Sequence, residues 1–128
     1  EASARAVVAA GICHSAFVSA DGRLLTCGGE PVWAKGVLGQ GEGVSTSSVP
    51  RVVSGLEEVR VRAVSAGFAH SLALTDAGEL YSFGGGGSGK LGHGDSADQL
   101  APRLIESLRG VRITAVSAGY FHSLAVSD

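Results

Sequence analysis

Apolar residues alternate with small or polar ones in two short runs, Ser71-Leu72-Ala73-Leu74-Thr75 and Glu79-Leu80-Tyr81-Ser82-Phe83, separated by Asp76-Ala77-Gly78. A period of two is the spacing of a strand, and glycine supplies the positive φ that a tight reversal needs. The pattern predicts a β-hairpin. His14 to Ser19 and Arg23 to Cys27 predict another, turning at Ala20-Asp21-Gly22. Val59-Arg60-Val61-Arg62 and Val111-Arg112-Ile113-Thr114 alternate as strands with one buried face do. The Pro-led stretches Pro50 to Val53 and Pro102 to Ile105 suit outer edge strands, because proline cannot donate to a central ladder. No run carries the 3.6-residue period of a helix, which excludes helix bundles.

These elements recur. Val7-Val8-Ala9-Ala10-Gly11-Ile12-Cys13-His14-Ser15 aligns with Val64-Ser65-Ala66-Gly67-Phe68-Ala69-His70-Ser71 and with Val116-Ser117-Ala118-Gly119-Tyr120-Phe121-His122-Ser123. In the same register Leu38-Gly39-Gln40-Gly41 meets Leu91-Gly92-His93-Gly94, and Pro50-Arg51 meets Pro102-Arg103. The offsets are 56 residues from Gly11 to Gly67 and 52 from Gly67 to Gly119. A period of that size marks a propeller, solenoid or array, and several short strands per unit favour all-β propeller blades, with a solenoid as the competing architecture. Repeat 1 is expected over 6–62, repeat 2 over 63–114 and a partial repeat 3 over 115–128, with Glu1 to Arg5 an irregular start. Strands of the complete unit are expected on 64–66, 70–75, 79–83 and near 102–105, with Gly67, Gly78 and Gly84 at bends. Each blade buries its faces on its neighbours, so Leu72, Leu74 and Val61 are expected at open apolar ends, with self-association as the consequence.

Composition narrows the function classes. A chain of 128 residues, 45% hydrophobic, can bury a core, and a formal charge of −2 gives no basic footprint for nucleic acid or anionic lipid. No apolar run approaches the roughly 20 residues that span a bilayer, and the start lacks a secretion signal, so a soluble intracellular place, cytoplasmic or nuclear, is expected. Cys13 and Cys27 stand where repeat 2 has Ala69 and Phe83, which points to reduced thiols at packed apolar positions.

The motif Ala-Gly-X-X-His-Ser-Leu-Ala-Leu-X-X-X-Gly-X-Leu-Tyr-X-Phe-Gly at 66–84, with Leu91-Gly92-His93-Gly94 and Pro102-Arg103-Leu104-Ile105, strongly resembles the regulator of chromosome condensation repeat family. The resemblance implies four-stranded blades of a seven-bladed β-propeller, of which this chain is an incomplete ring. It also implies protein recognition through loops on a propeller face. Family members include an exchange factor for the small GTPase Ran, domains of ubiquitin ligases, a plant ultraviolet-B photoreceptor and a β-lactamase inhibitor.

Gly84-Gly85-Gly86-Gly87-Ser88-Gly89-Lys90 fits a nucleotide loop on paper, but Leu91 stands where a P-loop needs Ser or Thr, and no helix can begin at Leu91-Gly92-His93-Gly94. A flexible inter-strand loop is expected instead. His14, His70 and His122 fall once per repeat, too dispersed for one metal, and are expected to hydrogen-bond backbone at blade junctions. Partner contact is the lesser alternative, because equivalent histidines of the Ran exchange factor lie on its GTPase side. The acids that accompany them there lack a counterpart in Gly85 to Ser88. The photoreceptor's clustered tryptophans are absent too: the corresponding positions hold Ile12-Cys13, Phe68-Ala69 and Tyr120-Phe121. Trp33, the one tryptophan, lies in a loop and suits either a cover over apolar surface or a binding hot spot.

The expected function is therefore a non-catalytic protein-interaction scaffold, with no cofactor and no metal, contacting a protein partner through loops 29–36, 85–90 and 93–100. Trp33, Lys35, Lys90, His93, Asp95 and Asp98 are the candidate contacts. The alternative is guanine nucleotide exchange on a Ran-like small GTPase.

Overall fold

The computed structural model describes residues 7–128, so the expected irregular start Glu1 to Arg5 and the onset of repeat 1 at residue 6 lie outside the described residues. Strands β1 (Val8–Ala10), β2 (His14–Val18), β3 (Leu24–Gly29) and β4 (Thr46–Val52) form one antiparallel sheet in chain order. β5 (Val61–Ala66), β6 (His70–Thr75), β7 (Leu80–Gly84) and β8 (Gln99–Leu104) form a second, and β9 (Ile113–Ala118) with β10 (Ser123–Ser127) a hairpin. The chain is thus all-β, two four-stranded propeller blades followed by the inner hairpin of a third. Both registers repeat: Ser15 pairs Cys27 as Ser71 pairs Phe83. Helical turns among the described residues are limited to the 3₁₀ segments Gly87–Gly89 and Glu106–Leu108, and no helix is long and apolar enough to cross a membrane.

Two boundaries differ from the sequence pattern for local reasons. Val59 and Val111 precede their strands because each N–H is taken by a tight turn, donating to Leu56 O at 3.1 Å and to Leu108 O at 3.0 Å. Pro50 and Pro102 sit inside β4 and β8 rather than at their starts. Both strands are outermost, and the ladder slips between Thr26 and Gly28 and between Ser82 and Gly84, so neither proline is asked to donate inward.

The core lies between blades. Ala16, Leu24, Val53 and Leu56 of the first pack on Val61, Val64, Ala73 and Phe83 of the second. Leu72, Leu74, Leu80 and Ile105 pack on Ile113 of the hairpin. The expectation of open apolar ends at Leu72, Leu74 and Val61 is corrected by this arrangement: all three are buried, because the hairpin covers the first two and the first blade covers the third. The same strand positions one repeat later, Leu124 and Val126, are 61% and 58% exposed.

The cysteine expectation also changes. Cys13 is exposed and Cys27 half-buried, both free thiols. Ala69, the counterpart of Cys13, is buried because Ala34 and Val37 of the preceding blade's loop lie on it, whereas no such loop covers Cys13 among the described residues.

Candidate protein-recognition face

The loops that join β1 to β2, β5 to β6 and β9 to β10 emerge on one face, together with the long β3–β4 and β7–β8 connections. Histidines fix the blades beneath this face. His14 Nε2 lies 2.8 Å from Ser71 Oγ of the second blade, and His70 Nε2 lies 2.9 Å from Ser123 Oγ of the hairpin. Each histidine thus reaches a side-chain hydroxyl in the next repeat, where sequence reasoning expected backbone. Ser123 Oγ donates its one proton to Lys90 O at 2.8 Å, so His70 Nε2–H must be the donor to Ser123. Nδ1 then carries a bare lone pair. In both His14 and His70 that atom is buried without a partner. Burial lowers both pKa values to about 4, and the Lys90 ammonium adds to the effect at His70, so both rings are neutral at pH 7. His122, in the third repeat, is exposed.

Glycine makes this geometry possible. A Cβ on Gly11 would stand 2.6 Å from His14 Nδ1 and 2.7 Å from Gly67 O, so the ring and the neighbouring blade both close on a bare Cα. Over the rings, Ile12 N–H donates to Phe68 O at 3.0 Å and Phe68 N–H to Gly119 O at 3.3 Å. Blade is joined to blade by backbone and by imidazole at the same place.

The long loops interlock as well. Asp98 accepts from Lys35 N–H of the first blade's loop and from Gly86 N–H of its own, both at 2.9 Å, and so clamps the two loops together. Glu30 Oε2 accepts from Gly36 N–H at 2.8 Å and Val37 N–H at 3.3 Å, with Lys35 Nζ 4.0 Å from its other oxygen. Gly36, at φ +76°, lets that loop pass against Gln99 and Leu100, where a Cβ would lie 2.7 Å from Leu100 Cα. The Gly84–Lys90 loop is therefore held, with Lys90 Nζ donating to Gly87 O at 3.3 Å and its pKa lowered by burial.

His93 is an internal strut. Its Nε2 lies 2.9 Å from Ser82 Oγ, which donates to Leu91 O at 2.7 Å, so His93 donates. Gln40 does the same in the first blade, donating to Thr26 Oγ1 at 3.0 Å while Thr26 Oγ1 donates to Leu38 O at 2.6 Å. Burial and the nearby Arg103 lower the His93 pKa, which keeps it neutral in this role.

What remains available on this face is aromatic. Trp33 stacks on Phe68 across the first junction at 5.4 Å between centroids, and Phe68 stacks on Tyr120 across the second at 3.8 Å. Phe121 tilts against Tyr120 at 4.3 Å. Trp33, Tyr120 and Phe121 are 58%, 50% and 62% exposed, and Ile12 extends the strip at 47%. Of the residues singled out from sequence, the structure brings Trp33 into this strip, engages the exposed Asp98 and the half-buried His93 in hydrogen bonds, leaves Lys90 half-buried, and leaves Lys35 and Asp95 exposed. Phe68, Tyr120 and Phe121 were missed as contacts. Their signal was present: they fill the two variable positions of Ala-Gly-X-X-His, which the fold sets side by side. Among the described residues no three His, Cys, Asp or Glu side chains come together in a way that could hold a metal ion.

The Regulator of chromosome condensation (RCC1) repeat model matches residues 21–74 and 77–126. The human E3 ubiquitin-protein ligase HERC2 is 42% identical over 112 residues, covering 86% of this chain and 2% of that protein. The crystal structure of human WBSCR16 superposes with a TM-score of 0.81 at 27% identity, covering 94% of this chain and 30% of its own. Prp20p from Saccharomyces cerevisiae, whose structure was described with its binding properties to Gsp1p and histones, superposes with a TM-score of 0.73 at 26% identity over 94% of this chain and 31% of its own. The chain therefore spans less than a third of each of these proteins.

Proposed function

The chain belongs to the regulator of chromosome condensation repeat family, and from that premise we propose that it is part of a non-catalytic scaffold whose aromatic face recognises a protein partner. The repeat units taken are 6–62, 63–114 and 115–128. The observation that carries the reading is the stacked strip Trp33–Phe68–Tyr120, which crosses two junctions while exposing large apolar area. Loop aromatics held on a rigid frame are the side chains that dominate binding energy in protein interfaces. Lys35, Lys90 and Asp95 border the strip as rim contacts, while Asp98 ties the β3–β4 loop to the β7–β8 loop and His93 braces the latter.

A second reading, guanine nucleotide exchange on a Ran-like GTPase, draws on the likeness to Prp20p and its binding to Gsp1p. A propeller would act there by remodelling the nucleotide site of its partner, not by chemistry of its own. Two measurements separate the readings. A photo-crosslinking residue at position 33 should capture a discrete partner that the same residue at Glu58, on the opposite end of the blades, does not; equal capture at both would count against the aromatic face. Accelerated release of labelled GDP from Ran by the chain would favour exchange.

A further inference from the structure

The recognition strip and the junction histidines occupy the same two seams. Ile12 and Phe68 follow Gly11 and Gly67 directly, and those two glycines are the residues on which the His14 and His70 rings lie. The Trp33–Phe68 stack crosses the seam that His14 closes, and the Phe68–Tyr120 stack crosses the seam that His70 closes. Any event that parts a seam must part the stack above it.

The rings are built to be neutral. At His70 the second proton would have to go on Nδ1, and in both histidines that atom is buried without a hydrogen-bond partner; the one opposing influence is the His122 backbone, which raises the His70 pKa but ranks below burial and the Lys90 charge. Around His14, Gly11, Gly28 and Gly67 contribute backbone and Ser71 a hydroxyl. The titratable groups nearby are the thiols of Cys13, which precedes it, and Cys27, across from Ser15 on β3, together with the His70 ring. Around His70 stand Gly67, Gly84, Gly119 and Ser123, with the Lys90 ammonium and the His14 and His122 rings acting on its charge. No carboxylate acts on either ring, so an imidazolium at these places has no counter-charge. The new N–H and its charge reach water only if the blades separate.

Taking the aromatic strip as the recognition face, we propose that His14 and His70 are acid-operated latches on it: protonating a ring opens the seam it closes and takes apart the stack above. Each latch is local. His14 governs Trp33–Phe68, and His70 governs Phe68–Tyr120. Burial holds both rings near pKa 4 against 6.5 in the unfolded chain, so protons are taken up on opening and the equilibrium moves toward the open seam as pH falls below 6.5. Recognition by the strip is lost on the acid side and returns on neutralisation.

The test uses the full chain without a partner, so that failure of the latch and failure of the recognition reading stay distinguishable. Trp33 is the one tryptophan, and its emission reports the first seam. In a titration from pH 8 to 3, emission should shift to the red in a reversible step that coincides with proton uptake at His14, followed by NMR at its ring Cε1–H. His14→Gln keeps a side-chain amide that can hydrogen-bond Ser71 in either direction and cannot titrate; it should move the Trp33 step down by about one pH unit or more, leaving only what carboxylates contribute. His70→Gln should leave the Trp33 step within a few tenths of a unit while displacing the Tyr120 ring resonances. If His14→Gln does not fold, the coincidence of the two wild-type curves decides. An unchanged Trp33 step in folded His14→Gln, or a wild-type step that does not track His14 protonation, overturns the proposal. Partner capture at position 33, measured at pH 7, stands or falls separately.

Discussion

Gly67→Ala isolates what a blade seam is worth. Gly67 lies outside the positive-φ set, so alanine is allowed there as far as backbone is concerned. Its Cβ would meet Gly119 O of the hairpin, and would stand 2.7 Å from His70 Nδ1. One neighbour is backbone and the other a buried ring, so the hairpin must move off the second blade. Forcing a methyl into a packed site costs about 1–3 kcal/mol. Loss of the Phe68 N–H bond to Gly119 O and of the His70–Ser123 bond adds about 0.5–1.5 kcal/mol each. The stiffer unfolded chain returns about 0.4–1 kcal/mol. The net expectation is a loss of about 3 kcal/mol. Two further glycines supply the scale. Gly29→Ala, with nothing closer than 3.7 Å to the added Cβ and no positive φ, should be near neutral. Gly43→Ala, at φ +85° with open space around it, should cost about 1–2 kcal/mol from the left-handed backbone alone. Urea unfolding followed by far-UV circular dichroism gives all three on one axis. A Gly67→Ala chain within about 1 kcal/mol of Gly29→Ala would refute the seam as described.

Stability should be highest above pH 7 and fall as pH drops from 6.5 toward 4. The His14 and His70 pKa values are depressed on folding, each costing at most about 1.4 kcal/mol per pH unit in that window, and a flat urea midpoint between pH 7 and 5 would contradict this. Phe83→Ala, which removes the largest fully buried side chain from the core between the blades, should lose about 3–5 kcal/mol in the same assay. Asp98→Ala should cost only about 1 kcal/mol because the carboxylate is exposed, yet amide exchange at Lys35 and Gly86 should quicken together and Trp33 emission shift to the red. Exchange quickening at one of the two amides alone would show that Asp98 does not tie the loops.

Strand order and blade count were legible because they rest on local chemistry repeated three times. The two-residue alternation, the turn glycines Gly22 and Gly78, and the Ala-Gly-X-X-His register each depend on neighbours in sequence. What was not legible depends on which repeat lies alongside. Leu72 and Leu124 hold the same strand position and carry the same side chain, but one is fully buried and the other 61% exposed, since only Leu72 has a hairpin packed on it. Cys13 and Ala69 differ for the same reason. Asp98 looked like a loop contact because a carboxylate in a polar loop is usually solvated; that it closes on amides from two loops depends on a partner, Lys35, 63 positions away in sequence, a separation no local pattern encodes.

The recognition strip itself shows why a repeat protein hides its site from a reading made one unit at a time. In any single unit, Phe68 alone or the adjacent Tyr120 and Phe121 are too few to mark a site. The frame puts the loop that carries them next to its counterpart from the following unit, because Gly11 and Gly67 carry no Cβ and the histidine ring and the neighbouring blade both close on the bare Cα. Aromatics that are 52 residues apart in sequence then stack at 3.8 Å. Small, invariant chemistry at the seam sets the spacing, and the variable positions beside it set what the face presents. It follows that exchanging the exposed Tyr120 and Phe121 for other side chains should change partner choice with little change in stability, whereas any side chain at Gly67 should cost the seam whatever the partner.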